Sequence, residues 1–138
     1  MLLLDTHVLI WTVEGETGRI GRRTRALISK AESQDGVRVS PATLFEVSAL
    51  HTAGRLRLDR ALDEWISGAF ADGRIRIAEL TPSVAIAAGR IPREALPDPL
   101  DRMLVETARR ADATFVTADA RILGYAANAA VRVHDAGR

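Results

Sequence analysis

Met1-Leu2-Leu3-Leu4-Asp5-Thr6 opens the chain as a short apolar run stopped by an acid. Such a run is too short for a helix and too apolar for a surface strand, so it reads as a strand buried on both faces. Thr114-Phe115-Val116-Thr117 repeats the pattern and is followed closely by a second acid, Asp119. Val37-Arg38-Val39 and Val131-Arg132-Val133 are shorter strand candidates, and the alternating Arg74-Ile75-Arg76-Ile77 suits a half-exposed or edge strand.

Helices fill the intervals. Ser40-Pro41, Thr81-Pro82 and Asp98-Pro99 each pair a capping side chain with a Pro at the first helical position. They open helices expected over residues 41–54, 82–89 and 98–112. Further helices are expected over 6–13, 21–33, 62–70 and 119–127, with a polar break at 14–18. Helical spacing assigns inward faces to Ala26, Leu27 and Ala31; to Leu44, Val47, Ala49 and Leu50; and to Leu62, Trp65, Ile66, Ala69 and Phe70. Leu100, Met103, Leu104, Thr107, Ala108 and Ala111 form the clearest stripe. Strands alternating with helices predict an α/β fold. Residues 1–138 are expected to form one domain, a mainly parallel sheet of four to five strands with helices on both faces.

The 138 residues suffice for a core that buries about two-thirds of the unfolded chain's surface. No cysteine is present, which excludes disulfide frameworks, thiolate catalysis and zinc ribbons. The apolar start has no basic region before it and ends at Asp5, unlike a secretory signal. No stretch nears the about 18 continuous apolar residues of a membrane span. A cytoplasmic protein with no membrane partner is expected. The net charge of +1 points to no particular polyanion, although Lys30 is the only lysine among 19 basic residues. Arginine suits phosphate because its planar fork bonds two oxygens at once. The run Arg19, Arg22, Arg23 and Arg25 reads either as a phosphate-facing edge or as a solvated helix face.

Four acids stand where a parallel sheet would gather them. Asp5 and Asp119 follow strands, while Glu46 and Asp101 are expected within a turn of a Pro-started helix. Strand C-termini and helix N-termini share one edge of an open α/β sheet, where ligands bind. Each acid also has an ordinary explanation. Asp5, Asp98 and Asp119 suit helix caps, Asp101 suits the positive end of a helix dipole, and Glu46 suits an exposed helix face. Their coincidence at one edge is the stronger observation. Carboxylates about 4 Å apart repel by roughly 4 kcal/mol per pair at an effective dielectric near 20. A hard divalent cation, Mg²⁺ or Mn²⁺, removes that conflict. It also makes water a nucleophile at neutral pH and shields phosphate oxygens.

Other chemistries fit poorly. Gly15-Glu16-Thr17-Gly18 lacks the Lys-Ser/Thr ending of a phosphate-binding loop, and no Gly-x-Ser-x-Gly elbow occurs. His7, His51 and His134 are too scattered for a zinc site. A receiver-like domain needs an acceptor Asp after the third strand and a Lys after the last. A dehalogenase-like phosphatase needs Asp-x-Asp after the first strand, where this chain has Asp5-Thr6-His7. A purely structural dimerisation module would leave Glu46 and the gathering of acids unexplained.

Four segments together resemble the PIN-domain family and, within it, the VapC-type toxins of toxin–antitoxin pairs. They are Leu2-Leu3-Leu4-Asp5-Thr6-His7-Val8-Leu9-Ile10-Trp11, Ser40-Pro41-Ala42-Thr43-Leu44-Phe45-Glu46-Val47, Asp98-Pro99-Leu100-Asp101-Arg102-Met103-Leu104 and Val116-Thr117-Ala118-Asp119-Ala120-Arg121. Two departures stand out: Leu96 replaces a His common two positions before the Asp-Pro pair, and Leu100 replaces an aromatic. The resemblance implies a Mg²⁺- or Mn²⁺-dependent endoribonuclease that leaves a 5′-phosphate and a 3′-hydroxyl. It implies Asp5 and Asp101 as direct metal ligands, with Glu46 and Asp119 acting directly or through water. Asp98 is a cap or a further ligand. The Thr6 and Thr117 hydroxyls are expected on a carboxylate or phosphate, and Arg102 and Arg121 on substrate phosphate or in salt bridges. The implied partners are RNA, a small VapB-like antitoxin and a second copy of the chain. A stand-alone RNA-processing nuclease of the same fold is the alternative.

Overall fold

A computed structural model describes residues 1–34 and 36–138. Among these residues the chain alternates strands and helices: β1 (Leu2–Leu4), α1 (Thr6–Glu14), α2 (Arg22–Ser33), β2 (Val37–Val39), α3 (Pro41–Thr52), α4 (Leu62–Phe70), β3 (Ile75–Ile77), α5 (Pro82–Gly89), α6 (Pro99–Arg110), β4 (Thr114–Thr117), α7 (Ala120–Ala126) and β5 (Arg132–Asp135). A 3₁₀ turn, Thr17–Arg19, occupies part of the expected polar break. The sheet order is β3-β2-β1-β4-β5, and every pairing is parallel. β3 lies at an edge, as its alternating sequence suggested.

Successive strand residues point to opposite faces, and both faces are covered. Leu2, Leu4, Val37, Val39, Ile75 and Val116 pack with Val8, Leu9, Ile28, Val47 and Trp65 of α1–α4. Leu3 and Phe115 pack on the other side with Ala42, Leu104, Val105, Ala108 and Ile122. This two-sided burial is why β1 reads as an unbroken apolar run.

Ser40, Thr81 and Asp98 each accept a hydrogen bond from a first-turn backbone N–H, and a Pro follows each cap. Two helix faces differ from expectation. On α2 the buried residues are Thr24, Ile28 and Ala31, while Ala26 and Leu27 are exposed. The C-terminal segment sets that rotation. The Thr24 hydroxyl meets the ring Nε2 of His134 at 2.8 Å and donates to the Arg138 carbonyl at 3.0 Å. Gly21, just ahead of the helix, lies so close to the Arg138 carbonyl that any side chain would collide with it. On α3 the buried residues are Ala42, Thr43 and Val47, leaving Ala49 exposed.

No helix among the described residues is long and apolar enough to cross a membrane.

Candidate active site

Strand order locates the site. From β1 the chain passes outward to β2 and β3, then returns to β4 on the other flank of β1. The β1/β4 boundary is therefore the topological switch point, where a crevice opens beyond the strand C-termini. Asp5 closes one of these strands, and Asp119 lies two residues past the other.

Asp5 is buried and caps α1. Its Oδ1 accepts from the Thr6 backbone N–H at 2.8 Å, and its Oδ2 accepts from the Thr117 hydroxyl at 2.6 Å. Thr117 Oγ1 in turn accepts from the Asp119 N–H at 3.0 Å. This relay ties the end of β1 to the start of α7 and fixes the Asp5 rotamer. The Thr6 hydroxyl does not reach a carboxylate; it donates to Thr43 Oγ1 at 3.4 Å, joining α1 to α3. Thr43 was not singled out in the sequence, although it lies one turn before Glu46 on the same helix side.

Asp119 and Asp98 are exposed caps. Asp119 Oδ1 accepts from the Arg121 and Ile122 N–H groups at 2.8 and 3.1 Å, and Asp98 Oδ1 accepts from the Leu100 N–H at 2.9 Å. Asp101 lies in the first turn of α6, as expected, and is partly buried. Glu46 lies in the second turn of α3 rather than the first, also partly buried. Among the described residues neither the Asp101 nor the Glu46 carboxylate makes a hydrogen bond or ion pair.

Electrostatics shows which acids share one space. Burial pushes the Asp101 carboxyl up to about 7, reinforced in turn by the negative charges of Asp98, Asp5, Asp119 and Glu46. Asp5 is also raised, first by burial, against the lowering effect of its bonds from Thr117 and Thr6. Glu46 raises it further, and His7 lowers it. The other three expected acids and Asp98 thus all bear on the charge of Asp101.

The donor set is all carboxylate oxygen, the chemistry of a hard divalent cation. Among the described residues, however, no three acidic or histidine side chains stand close enough to hold one ion as they are. Three of the acids are pinned by backbone N–H groups, whereas Asp101 and Glu46 have no such tie among the described residues. The residues present fit Mg²⁺ or Mn²⁺ in the chemistry of their donors.

The expected phosphate contacts divide. Arg102 turns its Nη2 toward the Pro97 carbonyl at 3.4 Å and buries an Nε without a partner, so it braces the turn before α6. Arg121 is exposed at the start of α7 and free of ion pairs among the described residues. Arg25, in the N-terminal arginine run, donates to the carbonyls of Thr17 and Ile20 and holds the 3₁₀ turn. Arg22 and Arg23 are solvated. Leu96 is fully buried in the α6-side core, and Leu100 is partly buried against the same core.

The sequence model of the PIN domain matches residues 2–128. Ribonuclease VapC22 of Mycobacterium tuberculosis (strain ATCC 25618 / H37Rv) is 30% identical over 124 residues, covering 90% of this chain and 91% of that protein. In three dimensions the chain is similar to VapBC2 from Rickettsia felis bound to a DNA fragment from their promoter. There the TM-score is 0.68 at 11% identity, over 97% of each chain. FitAcB from Neisseria gonorrhoeae gives a TM-score of 0.59 at 23% identity, over 98% of this chain and 97% of that one. The fold, the order of the four acidic segments and these likenesses agree: the chain belongs to the PIN-domain family, with a VapC-type ribonuclease among its relatives.

Proposed function

We propose that residues 1–138 form a divalent-metal-dependent endoribonuclease, the toxin of a toxin–antitoxin pair. The observation that carries this reading is Asp101: partly buried, without a hydrogen-bonding or cationic partner among the described residues, and raised in pKa by burial and by the charges of four further carboxylates. Its likeness to a named ribonuclease supports RNA as the substrate.

Asp5 and Asp101 would hold Mg²⁺ or Mn²⁺ directly, with Glu46 and Asp119 binding directly or through water and Asp98 as an auxiliary. A bound divalent ion lowers the pKa of water and shields phosphate oxygens. The chain's own residues set the geometry. Thr117 and the Thr6 N–H aim the two Asp5 oxygens, and the Asp98 cap places Asp101 at the mouth of α6. Water adds in line to the phosphorus, and the bond to the 3′-oxygen breaks. The products are a 5′-phosphate and a 3′-hydroxyl. A small VapB-like antitoxin is the proposed partner, and a homodimer the proposed assembly. The VapBC2 structure, bound to a DNA fragment from its promoter, is the precedent for such a complex.

RNA 5′-end sequencing after induction tests the reading. New 5′-phosphate ends should arise with the wild-type chain and be absent with Asp5→Asn. Identical end profiles for the two would refute it.

A further inference from the structure

Away from the acids, β2 carries a charge where its neighbours carry core. Val37 and Val39 are buried on one face of the sheet, so Arg38 between them points to the other. That is the face of Leu3, its partner in register on β1, and α6 covers it. Arg38 is partly buried, and its Nη1 has no hydrogen-bond partner among the described residues. The guanidinium lies against Gly36, where any side chain would collide with it. A central strand thus holds a shielded cation that the described residues leave unsatisfied, an arrangement that costs stability.

Arg38 lines a cavity of about 270 Å³ together with Glu79, Thr81, Thr107 and Arg110. Arg110 is exposed and stands 4.0 Å from the Glu106 carboxylate, which Arg109 already meets at 2.6 Å. Glu79 is exposed and pairs with neither arginine among the described residues, so two guanidiniums share the wall with one carboxylate. Thr81 accepts from the Val84 N–H as the cap of α5, which leaves its hydroxyl proton for a ligand. The positive end of that helix dipole lies at the same wall. Two planar guanidinium forks and a hydroxyl suit the three terminal oxygens of a phosphate better than the two of a carboxylate. Arg110 follows Asp101 by nine residues on α6, about 13 Å along the helix. The cavity is therefore separate from the acidic edge.

The geometry points to a phosphate-binding site at Arg38, Arg110 and Thr81, on the α6-covered face of the sheet and away from the acids. The group it takes is a phosphate, free or carried on a sugar, and the site is independent of the nuclease reading. Calorimetric titration of the full chain tests it in cation-free buffer, which keeps metal-bridged phosphate out of the acidic crevice. The probes are inorganic phosphate, ribose 5-phosphate and a baseless ribose-phosphate dodecamer, with acetate at matched ionic strength as the carboxylate control. Inorganic phosphate should bind saturably. Arg38→Met and Arg110→Met should each weaken it by at least about tenfold. Glu79→Gln should tighten it by about two- to fivefold, as a repelling charge leaves the wall. Without ligand, Arg38→Met should melt at or above the wild-type temperature, since an unsatisfied cation has gone. Arg110 is exposed, so its variant reports even if Arg38→Met folds poorly.

Tighter binding of ribose 5-phosphate than of the dodecamer assigns the site to a small phosphate ester. The reverse assigns it to a sugar–phosphate backbone that continues past Arg110 to the cavity lined by Arg90 and Arg109. Either result upholds the site. No saturable binding by any probe overturns it, as does unchanged phosphate affinity in both arginine variants. Equal binding of acetate removes the phosphate chemistry and with it the proposal. A lower melting temperature for ligand-free Arg38→Met, with phosphate affinity intact, makes that guanidinium structural and overturns it too.

Discussion

Asp101 and Glu106 lie on the same helix, α6, in opposite electrostatic company. Glu106 is 2% exposed, yet Arg109 Nη1 stands 2.6 Å from one of its oxygens and Arg110 Nε 4.0 Å from the other. Asp101 is less buried, has no ion pair among the described residues, and feels the negative charges of four other carboxylates. A buried charge is tolerable when its counter-ion is built into the fold and costly when it is not. Glu106 brings its cations on its own helix and needs nothing from outside. Asp101 has none, and its carboxyl answers by rising to about 7. The first arrangement supports a structure, whereas the second leaves room for a ligand.

Exchanging the fates of these two acids would break the comparison. Asp101→Asn should lower RNA cleavage by at least about a hundredfold. In cation-free buffer at pH 8 its melting temperature should equal or exceed that of the wild type, since a repelled charge has gone. A clear fall in melting temperature would make Asp101 structural. Glu106→Ala should do the reverse, destabilising the fold by about 1–3 kcal/mol in urea titrations. Arg109 is 35% exposed and can turn to solvent, which limits that loss. Cleavage per folded molecule should stay within about twofold.

Two smaller effects sharpen the contrast. Thr117→Val removes the donor to Asp5 and the acceptor for the Asp119 N–H. Affinity for Mn²⁺ should drop about tenfold, with about 1 kcal/mol of stability lost. The pH dependence should be gentler still. Asp101 binds its proton more tightly folded than unfolded, so it contributes stability that is complete below about pH 4. That contribution fades as pH rises through about 7. Cation-free protein should therefore melt higher at pH 5 than at pH 8 by an increment that Asp101→Asn removes and Glu106→Ala retains.

Local signals made most of the fold legible. Ser40-Pro41, Thr81-Pro82 and Asp98-Pro99 set helix starts because capping is a contact between near neighbours. β1 was legible because two-sided burial leaves no room for a polar residue. The misplaced faces of α2 and α3 have distant causes. Thr24 faces inward to meet His134 and the Arg138 carbonyl, more than 100 positions away in the chain. Thr43 faces inward to meet Thr6. Asp5, Asp101 and Asp119 could be assigned to one edge because strand ends and helix starts share it in any parallel sheet. Their orienting partners were less visible, since nothing local announces that the Thr117 hydroxyl serves Asp5 while that of Thr6 turns to Thr43.

Calorimetric titration with Mn²⁺ at pH 6.5, repeated in two buffers of different ionisation enthalpy, tests the shared cation pocket most directly. Wild-type protein should bind with release of protons, because Asp101 must ionise to take part. Asp5→Asn and Asp101→Asn should each lose at least about tenfold in affinity, and Glu106→Ala should match the wild type. Absence of binding, or unchanged affinity in both aspartate variants, would contradict a common cation site at this rim.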